Sequence, residues 1–201
     1  MSQPFTTLTS IAAPMLEANI DTDIIIPSRE MKTTGKTGLV AGLFAGRRYL
    51  GGSRDPDPEF VLNAPRYVGA AILLAGDNFG CGSSREHAVW ALAEFGIRCV
   101  IAPSFSPIFA GNAVRGGVVP VVLPPSDIAA LAATDAPITI DLPAQCVTMA
   151  ALSFRFAIDP EAKAMLIGGL DAIDLTLQLS AVIATWQQSN RKARPWVYFE
   201  T

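Results

Sequence analysis

The sequence is poor in charge. Of its 201 residues only 16% are Asp, Glu, Lys or Arg, against 50% hydrophobic. Disordered chains carry the opposite balance, so this one has the apolar content to build a core. Basic clusters are scarce too: the nearest to one is Arg191-Lys192-Ala193-Arg194, and the formal net charge is −3. A nucleic-acid-binding face needs concentrated Lys and Arg, so that class is disfavoured. Cysteine is limited to Cys81, Cys99 and Cys146, with no C-x-x-C pair. A zinc or iron–sulfur site made by this chain alone is therefore not expected, and the spacing suits reduced thiols in a cytoplasmic setting. No apolar run approaches the ~18 residues of a membrane span. Met1-Ser2-Gln3-Pro4 lacks the basic and then apolar pattern of a signal segment.

What is present alternates between strand and helix. Residues 68–75 form a nearly continuous apolar run, the pattern of a buried strand. A turn-rich stretch follows at 76–82. A helix is predicted over about 84–95, stopped by Gly96. Residues 97–102 read as the next strand, Ser106-Pro107 as the start of a second helix, and 118–123 as a third strand. Such a β-α-β-α-β run predicts a largely parallel sheet with right-handed crossovers. Around it, 5–11, 138–142, 146–150 and 152–158 read as short strands, the last three antiparallel. Residues 124–133 read as a short helix, Asp159-Pro160 opens a helix closing at Gly168-Gly169, and a longer one is predicted over 172–188. The tail Trp196-Val197-Tyr198-Phe199 is expected to pack on this domain or on a partner. No convincing linker breaks the chain, so residues 1–201 are expected to form one domain, α/β in class.

Chemistry concentrates in Asp77-Asn78-Phe79-Gly80-Cys81-Gly82-Ser83-Ser84-Arg85-Glu86-His87, which joins a buried strand to a helix. Open α/β sheets place ligands at such strand ends. Gly80 and Gly82 permit close backbone approach or positive φ. The helix N-terminus offers unpaired N–H groups to an anion, and Arg85 adds a cation able to grip a carboxylate with two hydrogen bonds. A purely structural alternative exists: Ser83 and Glu86 have the spacing of a capping box. Capping leaves unexplained the glycines, Ser84, Arg85 and the one histidine of the chain, His87. A generic anion-binding loop could explain them, so spacing alone leaves the reaction open.

The stretch Gly80-x-Gly82-Ser83-Ser84-Arg85-Glu86-His87 resembles the signature of the mobile (swivel) domain of the aconitase superfamily, which includes the isopropylmalate dehydratases. Asn19-Ile20-Asp21-Thr22-Asp23 with Ile26-Pro27 resembles the N-terminal motif of that family. Phe60-Val61-Leu62-Asn63, Ile101-Ala102-Pro103-Ser104-Phe105 and Gly169-Leu170-Asp171 with Leu175-Thr176-Leu177 resemble further segments of bacterial small subunits, in family order. The resemblance implies a β/β/α swivel-domain fold with a central largely parallel sheet, flanking helices and additional short strands. It implies a hydro-lyase that moves a hydroxyl between adjacent carbons of a small substituted malate through the corresponding maleate. The [4Fe–4S] cluster of such an enzyme would be carried by a separate large subunit, and none by this chain.

By the same resemblance Ser83 takes the position of the catalytic base, and Ser84 and Arg85 take substrate-binding positions. Gly80, Gly82, Glu86 and His87 would support them. Asp21 and Asp23 would lie nearby, although turn and cap chemistry explains that pair as well. Cys81 is expected to line the site without ligating a cluster. One departure concerns Gly35-Lys36-Thr37-Gly38, where bacterial small subunits often carry Thr-Arg-Thr-Gly. Lys36 keeps the charge without the two-pronged geometry. Lys36 is expected to bind substrate from a loop, 28–38, that orders over it. The activity implied is isomerisation of 2- and 3-isopropylmalate in leucine biosynthesis. The alternatives are the same chemistry on citraconate with 2-methylmalate, or on dimethylmalate, and, in another class, an anion- or RNA-binding regulatory module.

Overall fold

The computed structural model describes residues 3–32 and 34–198. Two four-stranded sheets organise it. The first is antiparallel, in the order β1 (Thr7–Ser10), β6 (Ile138–Asp141), β7 (Cys146–Met149), β8 (Leu152–Arg155). The second is wholly parallel, in the order β2 (Ala12–Met15), β3 (Ile72–Ala75), β4 (Cys99–Ala102), β5 (Val119–Val122). The helix α3 (Glu86–Phe95) crosses from β3 to β4, and α4 (Pro107–Arg115) from β4 to β5. Two short helices, α1 (Thr22–Ile25) and α2 (Ala45–Arg48), lie in the long β2–β3 connection. The remainder are α5 (Pro125–Ala132), α6 (Pro160–Gly168), α7 (Ala172–Leu177) and α8 (Ser180–Ala193).

Every residue of β3 and β4 is buried because both faces of the parallel sheet are covered. On one face Leu73, Ala75, Val100 and Ala102 pack with Ala88, Val89 and Leu92 of α3 and with Ile25, Leu43 and Phe44 from the connection. On the other, Ile72, Leu74, Cys99 and Ile101 share a core with Ile138, Ile140 and Val147 of the antiparallel sheet and Met165 and Leu166 of α6. The layers are thus sheet, sheet and helices, the β/β/α arrangement expected. No helix of the described residues is long and apolar enough to cross a membrane.

Several sequence expectations shift. The strand expected over 68–75 begins only at Ile72, because Val68–Ala70 turn through Gly69 at φ +80°. β2 is not expected as a separate strand, since Pro14 weakens the signal; it lies at the sheet edge, where proline is tolerated. The helix expected over 172–188 is two helices, α7 and α8, joined at Gln178 and Leu179. Of the tail, Trp196 and Val197 are exposed, and Tyr198 meets α8: Asn190 donates to its hydroxyl at 2.8 Å and the Arg191 guanidinium lies 4.9 Å from its ring. Phe199 lies outside the described residues.

Candidate active site

The loop from Ala75 to α3 leaves the C-terminal edge of the parallel sheet and is laced to both neighbours. On one side Asn19 N–H donates to the Asp77 carbonyl (2.8 Å), Gly80 N–H to Ile20 (2.8 Å) and Thr22 N–H to Cys81 (2.9 Å). On the other, Phe79 N–H donates to Ser104 (3.1 Å) and Ser106 N–H to Phe79 (3.0 Å). The Ser104 hydroxyl accepts from Asn78 N–H and donates to Asp77. Beneath the loop, Phe79 packs edge-on against Phe105 and Phe109. Gly80 is required here: at φ +74° its Cβ position lies 2.1 Å from Phe109 Cγ. Gly82 is also in the left-handed region, at φ +90°, facing Asp21 and Thr22.

The capping box does not form. The helix starts at Glu86, its N-cap is Arg85, and no side chain caps it. Ser83 and Ser84 therefore precede the helix with both side chains exposed. The Ser83 backbone is instead held by a residue 61 positions away: its N–H donates to Thr22 Oγ1, and that hydroxyl donates back to the Ser83 carbonyl, both at 3.1 Å.

A groove of about 580 Å³ opens at this helix N-terminus, lined among others by Lys32, Thr34, Ser84, Arg85, Glu86, His87 and Trp90. Two cationic side chains and the positive end of a ten-residue helix make it suited to an anion. Arg85 is partly exposed and paired with the exposed Asp23 carboxylate. Asp21 is a helix cap, accepting from Ile24 N–H at 2.7 Å, so turn-and-cap chemistry accounts for it; Asp23 orients Arg85. The His87 ring sits 4.8 Å from Trp90.

Lys36 is not among the residues that line this groove. Its Nζ lies over the Trp90 ring, 5.6 Å from the centroid, in a neighbouring cavity of about 300 Å³ with Arg115 and Asp171. Trp90 lines both cavities. The cause lies just downstream. The Glu94 carboxylate accepts the N–H groups of Gly38 (2.7 Å), Leu39 (2.6 Å) and Val40 (3.2 Å), which ties that end of the loop to α3. Residues 28–38 open with a short 3₁₀ turn, Ser28–Glu30; Thr33 lies outside the described residues.

Sequence reasoning does not single out Thr22, Lys32, Trp90 or Glu94. A threonine among isoleucines at 20–26 is the available signal for Thr22; the other three give none, because their role comes from a loop folding back on α3. The three sulfurs do not meet: Cys81 is in the loop, Cys99 is buried in β4, and Cys146 is in β7. Burial pushes the Cys99 thiol far up from its ordinary value. Among the described residues no group of three or more His, Cys, Asp or Glu could hold a metal, so this donor set does not fit an iron–sulfur cluster.

Known proteins resemble this chain in sequence and in fold. Residues 2–126 match the aconitase C-terminal domain family. A 3-isopropylmalate dehydratase small subunit of Cupriavidus necator is 54% identical, over 98% of this chain and 99% of the relative. One from Agrobacterium fabrum is 48% identical, over 96% and 99%. A crystal structure of 3-isopropylmalate dehydratase from Methanocaldococcus jannaschii superposes with a TM-score of 0.67 at 25% identity, covering 89% of this chain and 98% of the other. With the signature loop at the helix N-terminus and likeness along nearly its whole length, the chain belongs to the family of 3-isopropylmalate dehydratase small subunits, within the aconitase superfamily.

Proposed function

We propose that this chain is the small subunit of a two-chain hydro-lyase that interconverts 2- and 3-isopropylmalate through 2-isopropylmaleate, in the leucine pathway and in the cytoplasm. We take residues 1–201 as one domain, since both sheets bury residues in a common core. The observation that carries the reading is Ser83: an exposed residue whose backbone N–H and carbonyl are both held by Thr22, three positions ahead of the first residue of α3 and two ahead of Arg85 in the chain.

The family implies an iron–sulfur cluster; the separation of Cys81, Cys99 and Cys146 supports its being held by a large subunit, where it would supply a Lewis acid for the departing hydroxyl. This chain's residues would supply the base and a grip on the substrate. Arg85, oriented by Asp23, grips a substrate carboxylate, and Ser84 adds a hydroxyl contact. That fixes the adjacent C–H against Ser83. A serine is a poor base in water, so its alkoxide needs the helix N-terminus and the nearby cations for stabilisation. Gly80 and Gly82 let the loop lie close enough to be laced, while Glu86 and His87 form the first turn beneath the substrate. Lys36 acts from the adjoining cavity, through Trp90 and the loop's shape, on the choice of substituent.

The test is co-expression with the dehydratase large subunit, followed by assay of isopropylmalate, methylmalate and dimethylmalate. Stable co-purification and preference for isopropylmalate support the reading. Preference for another substituted malate would move the substrate but keep the chemistry. Activity of the isolated chain would overturn the two-subunit assignment.

A further inference from the structure

We propose that Thr22 is a positioning residue for the catalytic base. Apart from Tyr67 and Cys99, the buried polar side chains among the described residues are Thr22 and Asn112. Asn112 is answered within its own helix by Arg115. Thr22, 1% exposed, spends its hydroxyl on one remote residue. A hydroxyl has one proton to give and lone pairs to accept with. Thr22 Oγ1 uses both functions on Ser83, accepting from its N–H and donating to its carbonyl, each at 3.1 Å. Its own N–H holds the Cys81 carbonyl at 2.9 Å.

The consequence is a two-point clamp on the backbone of a residue whose side chain is exposed. Ser83 sits in no helix or strand, so no ladder of hydrogen bonds fixes its φ and ψ. The clamp takes over that role and leaves the Ser83 hydroxyl free to face substrate. The contact is close: the Cβ position of Gly82 lies 3.3 Å from Thr22 Oγ1. It is also preset, because Asp21 caps α1 and so orients its first residue, Thr22. Three consecutive residues thus act on the loop in turn. Asp21 fixes the turn, Thr22 holds Ser83, and Asp23 holds Arg85.

This inference rests on Ser83 being the base, and the experiment separates the two. Thr22→Val keeps the shape and removes the hydroxyl; Thr22→Ser keeps the hydroxyl and removes a methyl group. Both are compared with Ser83→Ala in the assembled two-chain enzyme, with kcat, KM, melting temperature and assembly recorded. T22V is expected to lower kcat by ~10-fold or more with KM within about twofold, because misplacing a reacting group acts on the transition state. T22S should recover kcat to within about threefold of the parent. If S83A is inactive but T22V keeps its kcat, or T22S is as slow as T22V, the positioning role is overturned while Ser83 stands. If S83A keeps its rate, both readings fall. Should T22V not assemble, Thr22→Ala read against T22S decides in the same way.

Discussion

Residues 76–85 and the C-terminal helices α7 and α8 both present themselves to solvent, and they are built in opposite ways. The loop has no regular structure, yet its backbone groups are answered from the 19–22 segment and from 104–106. The helices are regular, yet neither has a buried residue. Ile173, Leu177, Val182 and Trp186 stand exposed on them. A helix of 14 residues that buries no apolar face has little beyond its own hydrogen bonds to hold it. The irregular segment is specified by long-range contacts, while the regular one is specified locally. Regularity of backbone is therefore no guide to how firmly a segment is held.

The contrast breaks first at glycine. Gly80→Ala forces a left-handed φ and a clash with Phe109, and should cost roughly 2–5 kcal/mol in urea unfolding. Ala184→Gly in α8 should cost no more than about 1 kcal/mol. Equal effects would erase the distinction. Next, if Arg85 grips substrate as proposed, Arg85→Lys in the assembled enzyme should raise KM by about tenfold, since a point charge cannot replace a fork that also pairs with Asp23. An unchanged KM would make Arg85 a structural partner of Asp23 only. Ending the chain after Leu179 should change the stability of the isolated subunit by less than about 1 kcal/mol, as it removes no buried side chain among the described residues. A larger loss would mean that α8 supports the core.

The smallest effect concerns Glu17. Its hydrogen bond to Arg47 holds the Glu17 carboxyl below its ordinary value. A depressed carboxylate pKa adds stability above the unfolded-state value of about 4.3 and loses it as pH falls through the lower folded value. Both side chains are substantially exposed, so Glu17→Gln should cost about 0.5 kcal/mol or less at neutral pH and nothing in acid. Chemical unfolding of both proteins across the acid range checks the convergence.

The β3-α3-β4-α4-β5 run is legible in the sequence because its signals are local: apolar runs for buried strands, and Gly96 closing α3. Asp159, Pro160 and Gly169 mark α6 for the same reason. The site is legible as a cluster of residue types but not as a geometry. Ser83 and Glu86 match a capping box by spacing, but Thr22 holds Ser83 ahead of the helix, and no local pattern carries a bond across 61 positions. Likeness places Lys36 with the substrate, whereas Glu94 and Trp90 hold its loop against the side of α3. The break between α7 and α8 has no glycine or proline to announce it. Thr176 and Thr185 do bond back to carbonyls four residues earlier, a contact that bends helices.

In the proposed enzyme this chain brings the base to a site completed by a second subunit. The rate of 2-isopropylmaleate hydration by the assembled enzyme, with parent chain and with Ser83→Ala, tests it most directly. The predicted result is a loss of ~10²-fold or more in kcat with assembly and melting temperature retained. A Ser83→Ala enzyme that assembles and turns over within about twofold of the parent would contradict it.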